Sequence, residues 1–302
     1  MRSPILVIAN PVSGRGKGAR MARELLERLR EKGCTVDFRE TQRAGDARRA
    51  AGDAAGYAAV ACIGGDGTVN EVVNGLPPGG APPLTMAPCG TANVLAKELG
   101  LPRDPGRLAD LIAGGPEVRW DLGVDRASGR RFLLFASAGY DAHVVHLFHA
   151  ARRGPVQMWQ YILWGLRSIF RFRVPRLRVE IDGRPFEGGA SWVQVSNVAA
   201  YGGPLVFTPR ARADDGAFEV RVLRPGHKRD VVRMFWGAIL AHLFGFHPDL
   251  GGVTFLRARR VKLESAGGAP VPVQVDGDPG GFLPADFEIV PGGIRVLAPP
   301  GA

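Results

Sequence analysis

The chain has 302 residues, 39 Lys and Arg against 29 Asp and Glu, a formal net charge of +10 and 45% hydrophobic residues. That length and apolar content predict two cored domains and exclude a disordered chain, and the charge predicts an anionic partner such as a nucleotide, a nucleic acid or an acidic lipid surface. Cys34, Cys62 and Cys89 are widely spaced with no CxxC pair, which excludes a disulfide framework or a cysteine-held zinc and fits a reducing compartment.

The opening MRSPILVIAN reads as a first strand over 5–9, not as a signal peptide. A helix follows over 18–30, with Met21, Leu25, Leu26 and Leu29 on one side. Strands over 35–38, 57–63 and 84–87 then alternate with helices over 46–55, 68–76, 92–99 and 105–113. Thr68 is placed to cap the helix that carries Val69, Val72 and Val73. Strand and helix in turn predict a parallel sheet covered on both faces, with a ligand beyond the C-terminal strand ends. From about Trp120 short alternating segments predict an antiparallel sandwich or barrel. Two apolar-basic stretches, 143–172 and 228–246, interrupt it. The longest apolar run, 234–246, is broken by His242 and is too short for the ~20 residues of a membrane span.

The most informative stretch is IGGDGTVNEVVNG at 63–75. A strand ends in Gly64, Gly65, Asp66, Gly67 and Thr68 and opens into a helix, where backbone N–H groups can receive phosphate. Glycines there permit positive φ and close approach of a backbone or ligand. Comparable turns follow the other strands: Asn10-Pro11-Val12-Ser13-Gly14-Arg15-Gly16-Lys17-Gly18, Glu40-Thr41-Gln42-Arg43-Ala44-Gly45-Asp46 and Ala87-Pro88-Cys89-Gly90-Thr91-Ala92-Asn93. The first does not have Walker A spacing. Four such turns at one sheet edge point to a nucleotide site.

The set NPVSG, GGDGTVNEVVNG and PCGTANVLA, continued by TPRARADDGAFEV and VQVDGDPGG, resembles the diacylglycerol kinase catalytic domain, specifically the soluble bacterial lipid kinases related to diacylglycerol and sphingosine kinases. GGDGT alone is shared with NAD kinases and phosphofructokinases; the ordered set is more specific and spans nearly the whole chain. The resemblance implies a three-layer α/β domain over 1–120, a β-sandwich domain over 121–289, a possible return of 290–302 to the first, and an active site in the cleft between. It implies ATP, Mg2+ and phosphoryl transfer to a lipid hydroxyl. Nucleotide contacts fall by position on Asn10, Pro11, Ser13, Gly14, Thr41, Gly64, Gly65, Asp66, Gly67, Thr68, Asn70, Glu71, Gly90, Thr91 and Asn93.

Asp66 reads either as a ligand or water anchor for the nucleotide's magnesium or as a carboxylate serving a helix dipole. The family's general base is the Glu of a DGE motif. This chain has Asp276-Gly277-Asp278, so Asp278 takes that place with a side chain about 1.5 Å shorter; a turn residue is the other reading. Asp214-Asp215-Gly216 reads as an Asp-Gly turn or, by the resemblance, as a structural magnesium site through Asp215 and the carbonyls of Arg212 and Ala217.

Between 147 and 178, seven arginines interleave with Trp159, Tyr161, Trp164, Phe170 and Phe172. An amphipathic helix there fits an anionic membrane interface, or equally a cap packed on the sandwich. His143, His146 and His149 share one helical face and read as packing or surface residues. The expectations are therefore a cytoplasmic lipid kinase, peripheral to the membrane when active, whose partner is a lipid at an anionic surface and not nucleic acid. Sandwich edges allow a homodimer. An NAD kinase-like enzyme and a non-catalytic nucleotide- or lipid-binding protein are the alternatives.

Overall fold

The computed structural model describes residues 1–151, 158–169, 172–202, 205–234, 237 and 252–300. It divides into two compact units, Met1–Trp120 with Gly292–Ala302, and Asp121–Pro291.

In the first unit β1 (Ile5–Ala9), α1 (Ser13–Glu31), β2 (Val36–Glu40), α2 (Asp46–Gly52), β3 (Ala59–Gly64), α3 (Asp66–Gly75), β4 (Leu84–Pro88), α4 (Val94–Glu98) and α5 (Pro105–Gly114) alternate. The strands pair in parallel in the order β2-β1-β3-β4. β1 and β3 are buried at every position, which is why they read as continuous apolar runs. The helices cover them with Leu25, Leu29, Val72, Leu108 and Ile112, all buried. Two helix starts differ from the sequence expectation. Within α1, Gly14, Arg15 and Gly16 have φ of 60°, 60° and 88°, so a left-handed turn precedes the regular helix. α3 begins at Asp66 with Gly65 as its N-cap and no side-chain cap; the Gly65 carbonyl accepts the N–H groups of Thr68 and Val69, which places Thr68 inside the first turn.

The second unit is built from β5 (Glu117–Asp125), β6 (Arg130–Phe132), β7 (Phe135–Ala138), α6 (Tyr140–Ala151), α7 (Met158–Ser168), β8 (Leu177–Ile181), β9 (Arg184–Pro185), β10 (Trp192–Ser196), β11 (Ala200–Tyr201), β12 (Leu205–Val206), β13 (Phe218–Leu223), β14 (Val253–Ala258), β15 (Arg260–Ser265), β16 (Pro272–Val275), β17 (Asp278–Phe282) and β18 (Ala285–Leu297). β5 begins, and β18 ends, in the first unit, where Val296 pairs in parallel with Leu84. A six-stranded antiparallel sheet runs β14-β13-β10-β7-β16-β17. Its Val193, Val195, Val220, Val222, Val273 and Val275 share one buried cluster with Val261, Leu263 and Phe287 of β15 and β18. The opposite face is polar yet buried: Arg221, Gln194, Ser137 and Gln274 lie opposite one another on four neighbouring strands. α6 covers that row.

Trp164 and Phe172 pack with Tyr140, Val144 and Trp192, while Arg167, Arg173, Arg176 and Arg178 are exposed. Arg152, Arg153, Phe170, Arg171, the side chains of Trp159 and Tyr161, and most of 234–246 lie outside the described residues. No described helix is long and apolar enough to cross a membrane. All three cysteines are free and buried.

Candidate functional site

Parallel register brings the four glycine-rich turns to one edge. Ala9 stands opposite both Glu40 and Ile63, and Gly64 opposite Pro88, so the chain leaves β1, β2, β3 and β4 at the same level. Asn10 N–H donates to the Ile63 carbonyl at 2.8 Å, Thr41 N–H to Ala9 at 2.9 Å and Cys89 N–H to Gly64 at 2.8 Å. Asn10 Nδ2 also donates to Thr68 Oγ1 at 3.5 Å, and Ser13 N–H to the Asn10 carbonyl at 3.2 Å. Pro11, Ser13, Thr91 and Gly67 stay solvent-accessible at this rim.

The glycines are required mainly because the turns pack backbone against backbone. A Cβ on Gly14 would lie 2.0 Å from the Cys89 carbonyl oxygen, and one on Gly90 would lie 2.5 Å from the Gly65 Cα. A Cβ on Gly64 would strike the Thr68 side chain at 2.6 Å. Positive φ, expected for the GGDG run, is not used there: Gly65 has φ of −107°, and Gly64 and Gly67 are also outside the positive-φ set. At this edge Gly14, Gly16 and Gly45 use it.

Two polar residues of this edge serve the turns themselves. Glu71 Oε2 accepts the Gly45 N–H at 3.0 Å. Asn93, left-handed at φ 48°, accepts the Gly90 N–H at 2.8 Å and donates back to the Gly90 carbonyl at 2.9 Å. Asn70 is buried, and its side-chain oxygen accepts from Asn74 at 3.3 Å.

Asp66 is engaged in the same way. Its two oxygens accept the N–H groups of Val94 at 3.1 Å and Leu95 at 3.2 Å, so α3 carries the carboxylate that satisfies the orphan donors at the start of α4. Removal from water pushes its carboxyl above the usual carboxylate range, against the lowering effect of those two N–H groups.

The second unit holds the other acidic turn. β16 and β17 form a hairpin in which Val275 faces Asp278, joined by Asp276 and Gly277 at φ 51° and 83°. Positive φ at both central residues is the two-residue hairpin geometry that Asp-Gly favours. The buried Asp276 carboxylate accepts three N–H groups, from Leu133 at 3.0 Å, Leu134 at 2.9 Å and Phe135 at 3.1 Å. Gln274 Oε1 accepts the Gly277 N–H at 2.9 Å. The turn is thus fixed, and Asp278 leaves it half-buried as the first residue of β17. Its Oδ1 lies 3.5 Å from His149 Nε2 and its Oδ2 3.9 Å from Arg130 Nη2. The sequence alone marks His149 as a packing or surface histidine. No local signal links it to Asp278, 129 positions away; the weak one available was that His146 and His149 share a helical face.

At the turn expected to hold a structural magnesium, the Asp215 carboxylate has protein partners. Asp215 Oδ2 is 2.7 Å from Arg257 Nη2, and Oδ1 accepts the Ala217 N–H at 3.2 Å. Arg212 pairs with Asp214. Among the described residues no group of three His, Cys, Asp or Glu side chains could hold a metal ion.

Residues 4–124 match the diacylglycerol kinase catalytic domain, and residues 135–298 match the YegS C-terminal NAD kinase beta sandwich-like domain. A protein of Bacillus subtilis named diacylglycerol kinase is 30% identical over 297 residues, covering 97% of this chain and 95% of that protein. The chain belongs to the diacylglycerol kinase family. It is therefore an enzyme of a kinase family, with a mixed α/β N-terminal unit and an antiparallel C-terminal one. A solved diacylglycerol kinase structure from Bacillus anthracis aligns over 99% of this chain and 98% of its own at a TM-score of 0.74 and 21% identity. An NAD kinase from Archaeoglobus fulgidus, solved with ATP, aligns over 98% and 94% at a TM-score of 0.54 and 13% identity. Both likenesses concern fold alone; kinase membership itself implies a nucleotide substrate.

Proposed function

We propose that this kinase transfers the γ-phosphate of ATP to the hydroxyl of a diacylglycerol-like lipid. The observation that carries the reading is the gathering of four glycine-rich turns at one parallel sheet edge, in a chain whose full-length relative is named diacylglycerol kinase. Backbone N–H groups at Gly14 and Gly65–Gly67 cradle the phosphates, and Thr41 borders the nucleotide. Preorganised donors of this kind are effective because phosphoryl transfer needs positioning and charge stabilisation more than covalent help. Asp66 contributes by holding two of these turns together. The Mg2+ that accompanies ATP enters as part of the nucleotide, where it would neutralise phosphate charge.

Asp278 is the general base. The lipid O–H bond breaks as its proton passes to the carboxylate, the oxygen bonds to the γ-phosphorus, and the β–γ bridging oxygen leaves with the electron pair on ADP. The exposed Arg167, Arg173, Arg176 and Arg178 give the second unit a cationic surface for anionic lipid. Transfer of labelled phosphate from ATP across a lipid panel in mixed micelles tests the reading, with NAD as the competing acceptor. Transfer to a lipid alcohol, lost in Asp278→Ala, supports it; phosphorylation of NAD instead would replace it.

A further inference from the structure

The Asp278 carboxylate is shorter than the glutamate of the family motif, yet it is not left to swing freely. α6 is docked along the β16–β17 hairpin at three levels. At its start, Asp141 Oδ2 accepts from Ser137 Oγ at 2.5 Å and from Gln274 Nε2 at 3.4 Å. In its middle, His146 Nε2 is 2.7 Å from the Val273 carbonyl, and the ring sits edge-on to Phe282 at 5.3 Å. One turn later His149 brings Nε2 to 3.5 Å from Asp278 Oδ1. Residues three apart lie on one helical face, so the His146 contact fixes the direction in which His149 is presented. On the other side Arg130 anchors itself by donating from Nη1 to the Pro279 carbonyl at 2.6 Å and stands 3.9 Å from Oδ2. The His149 and Asp278 side chains keep 22% and 34% of their exposure, so the carboxylate remains open to a substrate on its outer side.

We propose that His149 is a positioning residue for the general base: its Nε2–H holds Oδ1 of Asp278 and turns Oδ2 toward the acceptor hydroxyl. The inference rests on the lipid kinase reading, because it assigns a partner to the base of that reaction. It requires the tautomer of His149 that carries its proton on Nε2. Its cause is geometric. A carboxylate about 1.5 Å short of the motif's reach has little tolerance for rotation about its own side-chain bonds, and a misplacement near 1 Å costs roughly 100-fold in rate.

Steady-state kinetics on a two-by-two set, with His149→Ala and Asp278→Asn alone and together, test it. The expected result is a fall of about 10- to 100-fold in kcat for His149→Ala with KM for ATP and for lipid unchanged within about twofold. In the Asp278→Asn background the same substitution should cost less than about twofold, because a positioning residue has no effect once the group it positions is gone. His149→Gln, whose amide can donate from nearly the same place, should recover most of the rate and separates positioning from a folding defect. Equal losses from His149→Ala in both backgrounds, or no loss in the native one, would overturn the inference while leaving the kinase reading intact. Absence of transfer to any lipid by the native protein would overturn both.

Discussion

The turn after β3 and the hairpin turn before β17 each contain a carboxylate flanked by glycine, and they use it for opposite ends. At the first, the two oxygens of Asp66 accept backbone N–H groups of α4 and lock one turn to the next. At the second the duties are divided. Asp276 takes the structural part, with three N–H groups, and Asp278 is left facing side chains, half in water. Acidic residues at a candidate site are thus told apart by their partners: a carboxylate engaged by main-chain donors builds the site, and one facing side-chain donors is available for proton transfer.

That contrast is tested most severely at Asp278. Asp278→Ala should lower phosphate transfer by about 100- to 10,000-fold, while thermal unfolding shifts by less than ~0.5 kcal/mol, as for a partly exposed side chain with no buried dependants. A large loss of stability would place Asp278 with the structural carboxylates.

Asp276→Ala should show the reverse profile. Three buried N–H groups lose their acceptor, at about 1–3 kcal/mol each when unsatisfied and with partial relief from water. Calorimetry should show a melting midpoint lower by roughly 6–12 °C for a loss near 3 kcal/mol.

Asp66→Asn sits between these. One of the two N–H groups at α4 would face an amide donor, for about 1–2 kcal/mol, and nucleotide affinity should fall with the loosened turns. The pH dependence has a definite sign. Burial raises the folded-state carboxyl of Asp66 above its unfolded value, so its contribution is fully present below that unfolded value, near 4, and is lost as pH rises through the raised folded one. Replacing it should flatten this part of the decline in melting temperature from pH 4 upward, which urea or thermal scans at several pH values would register.

The smallest effect is expected at Asp215. Arg257→Ala removes a pair whose arginine is well exposed, worth about 0–1 kcal/mol, and magnesium added without nucleotide should leave the melting midpoint of the native protein unchanged. Stabilisation by magnesium alone would support the metal reading of that turn.

The sequence made the alternation of the first unit visible because β1 and β3 are buried along their whole length and their helices carry one apolar stripe. It misplaced the start of α3, because glycine caps through its backbone and leaves no side-chain signature, whereas Thr68 carries the side chain that usually marks a cap. The glycines of GGDG were visible as a demand for close approach, but what approaches is the neighbouring turn at Gly90, 25 positions on. Long-range pairings were the least legible. Asp66 with Val94, Asp276 with Leu133 and Asp278 with His149 each join segments that become neighbours only after the sheets form, and no local periodicity records them. The departure from DGE was legible at once; that a histidine of α6 stands beside it was not.

Phosphate transfer from labelled ATP to lipids in mixed micelles, comparing the native protein with Asp278→Ala and Asp66→Asn, tests the central claim most directly. The division of labour predicts transfer to a lipid alcohol that Asp278→Ala abolishes without loss of stability. Asp66→Asn should instead lose nucleotide affinity and stability, and keep measurable turnover at saturating ATP. Full activity in Asp278→Ala would contradict the assignment of the base, and turnover abolished in a stably folded, ATP-saturated Asp66→Asn would move the chemistry to the other turn.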